Sequence, residues 1–155
     1  MGSLGDLLKA SDKSSLILNS ICEGEVYLMT LTKEEGVKPK DPSDDSRNKY
    51  FIVIGKDKSG IAICAVLINT KINQNISQPL QNLHYPLKAA TYEFLKQNRF
   101  AYCGQIKIIS KEAFSTQFRK PVGAIYESDL NLIKEAVTSS PITPKKDLKR
   151  FGLIS

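Results

Sequence analysis

The chain has 155 residues, carries a formal charge of +6 and is 41% hydrophobic. That is the length of one domain with short extensions, with enough apolar content for one core. The charge favours an anionic partner, whether nucleic acid, an acidic protein or a membrane surface, and the longest apolar run, the eight residues Ile61 to Ile68, is far too short to span a bilayer.

In chain order, Leu4/Leu7/Leu8 and Leu16/Ile17/Ile21 have helical spacing and predict an N-terminal helical extension over 1–22. The start lacks the basic head and long apolar stretch of a signal peptide, so a cytoplasmic protein is expected. After Gly24, "GEVYLMTLT" reads as a strand. Residues 33–46, with Pro39, Pro42, Gly36 and many charges, read as a mobile loop. Arg47 then stands directly before the apolar strand Tyr50 to Ile54. "KDKSG" predicts a turn with Gly60 at a positive φ, leading into Ile61 to Ile68, which is apolar on both faces. The two runs predict a central antiparallel hairpin.

"HYPLK" predicts a short strand, and "AATYEFLKQN" reads equally as a helical turn or a loop. "FAYCGQIKIIS" predicts one alternating strand, with Gly104 marking a bulge or close approach. "KPVGAIY" predicts a last short strand. Residues 128–138 predict an amphipathic helix with Leu130, Ile133 and Val137 on one stripe. In the tail, 141–155, Thr143 is a candidate cap, Pro144 the first helical position and Gly152 a stop. The expectation is a mainly β protein with flanking helices, in which residues 23–140 form a small curled antiparallel barrel. Cys22, Cys64 and Cys103 include no closely spaced pair. Reduced, buried thiols are expected rather than a zinc site.

The succession "GEVYLMTL", charged loop, "RNKYFIVIG", "ICAVLINTKIN", "FAYCGQIKII" and "GAIYESDLNLIKEAV" resembles the MazF/PemK family of toxin ribonucleases. The resemblance covers about residues 24–139 and rests on the order and spacing of short motifs. It implies an SH3-like barrel of the CcdB/MazF/PemK type, a homodimer, and a metal- and cofactor-free endoribonuclease acting on single-stranded RNA. It also implies inhibition by an acidic antitoxin protein. Asn48 stands where the family most often has proline. Gly104 stands where many members have an acidic residue, which leaves one catalytic or RNA-contacting role empty.

Metal-free RNA cleavage needs the ribose 2′-OH held in line with phosphorus, a proton acceptor, and a cation on the developing phosphorane. Arg47 matches the family arginine and suits the cationic role, since its planar fork grips two phosphate oxygens. The alternative is that it solvates a strand end or meets Asp44 or Asp45. Thr70 matches a family Thr/Ser position and either contacts phosphate or caps the strand. Lys49, Asn69 and Lys71 are candidate RNA contacts. His84 is the only histidine and is either an acid–base group or a structural residue. Tyr85 and Tyr27 either stack bases or pack in the core. A non-catalytic binding module on the same barrel is the competing reading.

Overall fold

Ile61 to Ile68 predicts a strand buried on both faces, and β-branched residues stiffen such a run into an extended backbone. The computed structural model describes residues 20–32, 46–116 and 120–155, and in it this run is the centre of the sheet. Strands β1 (Glu25–Thr32), β2 (Ser46–Lys56) and β3 (Ala62–Asn69) form consecutive antiparallel pairs. Every residue of β3 except Asn69 is buried. The β2–β3 turn closes as expected: Gly60 has φ +74°, and the Asp57 carboxylate accepts the Ser59 N–H and hydroxyl at 2.9 and 2.7 Å. Those bonds, first of all, hold the Asp57 carboxyl below its ordinary pKa.

Beyond β3 come the short strands β4 (His84–Leu87), β5 (Arg99–Tyr102) and β6 (Lys107–Ser110), and β7 (Gly123–Ala124) joins β1. The result is a curled antiparallel half-barrel in the order β4-β5-β3-β2-β1-β7, with β6 also on β3. Four helices accompany it among the described residues: α1 (Gln78–Gln81), α2 (Lys111–Thr116), α3 (Glu127–Thr138) and α4 (Lys145–Arg150). None is long and apolar enough to cross a membrane. The expected helical clusters before Ser20 and the loop at 33–45 lie outside the described residues.

"FAYCGQIKIIS" departs from the single strand that its alternation predicts. Both of its halves pair with β3, but between Ile68↔Ala101 and Ala65↔Lys107 the chain spends three residues more than β3 does. The excess bows out at Cys103 to Ile106 and splits β5 from β6. Gly104 sits in this bow with the Tyr102 ring folded over it. A Cβ there would lie 2.5 Å from Tyr102 Cε1, so a larger residue would have to displace the ring. Its carbonyl accepts the Ser140 hydroxyl at 2.6 Å and the Thr143 hydroxyl at 3.4 Å. Thr143 is thereby used on the bow rather than as the expected cap, and Pro144 occupies the N-cap position of α4.

Each sheet face has its own core. On one, Tyr27, Phe51 and Phe114 form an aromatic triangle with centroids 5.0–6.1 Å apart, closed by Ile21. On the other, Val26, Ile52, Val66 and Ile68 meet Leu130, Ile133 and Val137 of α3, the stripe that the sequence predicts. Leu148 and Phe151 also belong to this core. Arg150 Nε donates to Asp57 Oδ2 at 2.7 Å, tying the C-terminal helix to the hairpin turn. The C-terminal segment is thus packed into the barrel's main core.

Phe151→Ala should therefore lower unfolding free energy by about 3–5 kcal/mol, the usual cost of emptying a buried aromatic site. Urea denaturation measures this; an unchanged midpoint would place the C-terminal segment outside the cooperative unit.

Candidate functional site

Polar residues enter this fold where the buried strands end. β2 begins, β3 ends and β5 begins at the same end of the sheet, because antiparallel neighbours alternate direction. The register therefore gathers several of the predicted residues. Lys49 is half-buried and its Nζ donates to Asn69 Oδ1 at 2.7 Å. Asn69 is the last residue of β3 and pairs with Phe100. Thr70 and Lys71 follow it directly and are exposed. Arg47 is a backbone position of β2 opposite Leu31, two residues before Lys49; its side chain lies outside the described portion.

The structure adds Arg99, which sequence reasoning missed. The Asn69↔Phe100 pair places Arg99 one step further along β5, level with Thr70. Its guanidinium lies over the Tyr50 ring, 5.4 Å from the centroid. Its Nε is buried and has no hydrogen-bond partner among the described residues. A buried, unbonded guanidinium N–H is costly unless a ligand supplies the acceptor. The only signal in the sequence was a cation at the head of "RFAYCGQ", parallel to Arg47 at the head of "RNKYFIVIG"; the strand pairing that joins the two is not readable from either segment.

His84 and Tyr85 are placed apart from this cluster, on β4, which is separated from β3 by β5. Both serve internal contacts. His84 is 8% exposed, its Nδ1–H donates to the Gln81 carbonyl at 2.9 Å, and its ring stacks on Tyr102 at 4.6 Å. Tyr85 donates its hydroxyl to Asp129 Oδ1 at 2.5 Å, and Tyr92 donates to the other oxygen of the same carboxylate. These bonds fix the first turn of α3 to the sheet. Tyr27 packs in the core, with its hydroxyl on Glu25 at 3.0 Å.

Burial, reinforced by the bond to the Asp129 carboxylate, pushes the Tyr85 phenol up to about 12. Burial also pushes the Cys64 and Cys103 thiols up to about 12, so neither supplies a thiolate nucleophile at neutral pH. Cys22 is an exposed free thiol. Among the described residues, no group of three or more His, Cys, Asp or Glu is arranged to hold a metal ion.

No family model matches the chain, and no curated protein is significantly similar to it.

The Tyr85 phenol is held protonated in the folded state above the ordinary phenol value of about 10. Its contribution to stability is therefore complete below pH 10 and is lost as pH rises through about 12. Tyr85→Phe should flatten part of the fall in urea midpoint between pH 9 and pH 11.5. A variant with the same alkaline slope as wild type would show that the Asp129 bond does not couple to folding.

Proposed function

We propose that this chain is a metal-independent, single-strand-specific endoribonuclease of the toxin–antitoxin type, built on an SH3-like barrel of the MazF/PemK kind. The observation that carries the reading is the convergence of Lys49, Asn69, Thr70 and Arg99 at one end of the sheet, where β2, which bears Arg47, begins, β3 ends and β5 begins. Cations at strand ends are anchored by the sheet yet reach solvent, which suits a phosphate that must be gripped and released. The net charge of +6 agrees with an anionic substrate.

In this reading the neighbouring 2′-oxygen attacks phosphorus, forming the O2′–P bond as the P–O5′ bond breaks. The 2′-proton passes to a base, and the 5′-oxygen leaves with a proton. Arg47 and Arg99 neutralise the non-bridging oxygens of the phosphorane. Thr70 hydrogen-bonds a phosphate oxygen. Asn69 orients the Lys49 ammonium toward the strand. A symmetric homodimer, an acidic antitoxin that caps the cationic end, and a cytoplasmic setting belong to the same proposal.

A binding module without cleavage is the second reading, and two observations favour it. Gly104 takes the place of an acidic family residue, with its carbonyl engaged by Ser140. Among the described residues, no hydrogen bond or ion pair joins a carboxylate or histidine to Thr70 or Arg99.

The purified protein should cleave single-stranded RNA in excess chelator, leaving 2′,3′-cyclic phosphate and 5′-hydroxyl ends, and should spare DNA. Arg47→Ala should slow cleavage by about two to three orders of magnitude, the scale of losing one preorganised charge stabiliser. Thr70→Ala should cost less, and Arg47→Lys should not restore the full rate. Intact RNA that binds with a steep salt dependence would install the binding reading instead. Neither cleavage nor binding would remove both.

A further inference from the structure

We propose that the groove between β7 and the turn after β4 receives one unpaired guanine of a single RNA strand whose phosphate is held at Arg99. This rests on the RNA reading above and adds a base-selecting site to it. The groove has a volume of 370 Å³ and is lined by residues 90–94, by 122–124 and by Tyr126. Three of its lining residues, Tyr92, Phe94 and Tyr126, are aromatic. Phe94 stands beside Tyr92 at 5.8 Å, and Tyr92 beside Tyr126 at 5.3 Å. Tyr126 is 61% exposed, so its outer face is open to solvent.

These rings are held in place. The Tyr126 N–H donates to the Tyr92 hydroxyl at 3.2 Å, and that hydroxyl is itself bound to Asp129. Phe94 packs against Gly123, where a Cβ would lie 2.3 Å from its Cδ1. A solvent-facing ring is a stacking platform, and every nucleobase has a face to offer it.

The groove is joined to the cationic end of the sheet. Arg99 covers the Tyr50 ring at 5.4 Å, and Tyr50 meets Phe94 at 6.4 Å. The unfilled Arg99 Nε–H thus lies two ring contacts from the groove wall. The contacts from Arg99 to Tyr126 run through Tyr50, Phe94 and Tyr92, so a phosphate on Arg99 and a base on Tyr126 would belong to different nucleotides of one strand.

Glu93 chooses the base. It lines the groove, and its exposed carboxylate has no hydrogen bond or ion pair among the described residues. A carboxylate accepts only. Guanine alone presents two adjacent donors, N1–H and N2–H, on its pairing edge. Adenine and cytosine set a ring acceptor beside their amine, and uracil flanks its single N–H with two carbonyls. Each of these edges repels the carboxylate.

The test uses the full-length protein and fluorescent 2′-O-methyl RNA pentamers, which cannot be cleaved, with one central G, A, C or U in a uridine background. Wild type should bind the G pentamer about tenfold more tightly than the others, within the range of one good bidentate base contact. Glu93→Gln should abolish that preference, and Tyr126→Ala should weaken binding of every pentamer, because stacking does not depend on the base. Both positions are exposed, and unchanged thermal melting confirms the fold. RNA binding without a guanine preference, or a preference that survives Glu93→Gln, overturns the groove assignment and leaves the RNA reading standing. Failure to bind any pentamer overturns the assignment together with the reading beneath it.

Discussion

β3 is the constraint on which the rest depends. It is buried on both faces and paired along both edges, by β2 on one side and by β5 and β6 on the other. Each buried Ile, Leu or Val side chain of such a strand contributes about 1.5–3 kcal/mol. No single hydrogen bond at its end approaches that sum. The two cores, the helices that cover them and the polar residues beyond Ile68 are all positioned by where this strand begins and stops.

A strand apolar on both faces does not fix its own register, because a one-residue slip exchanges one buried side chain for another. The register is set at its ends and along its edges. The bond from Lys49 to Asn69 ties β2 to the exit of β3. On the other edge, the bow at Cys103 to Ile106 absorbs three residues, and Ser140 and Thr143 hold its apex at Gly104. The same features that settle the register also place Arg99 level with Thr70. The residues that settle the register and the candidate site therefore lie at the same end of the sheet.

The two candidate sites share a physical logic. Aromatic rings carry the contact from the buried sheet to the surface, from Arg99 over Tyr50, through Phe94 and Tyr92, to Tyr126. The Asp129 carboxylate, accepting from Tyr85 and Tyr92, anchors that series to the first turn of α3. Two of these rings, Tyr92 directly and Tyr126 through its backbone N–H on Tyr92, are thereby tied to one half-buried carboxylate.

The sequence by itself determined the antiparallel β2–β3 hairpin, the Gly60 turn and the stripe Leu130, Ile133 and Val137. Each of these depends on a local period or a local backbone preference. Arg47, Lys49, Asn69, Thr70 and Lys71 were legible as strand-end polar residues for the same reason. Only the tertiary structure decided that "FAYCGQIKIIS" breaks into two strands, because alternation continues across the break and gives no sign of the three-residue excess. It also decided that His84 and Tyr85 serve internal contacts, that Thr143 binds the bow, and that Leu148 and Phe151 enter the core. Arg99, Glu93 and Tyr126 acquire their meaning from strands and helices far along the chain. Pairing between distant segments leaves no periodic trace in either one, and that is why those residues had to be found in the fold.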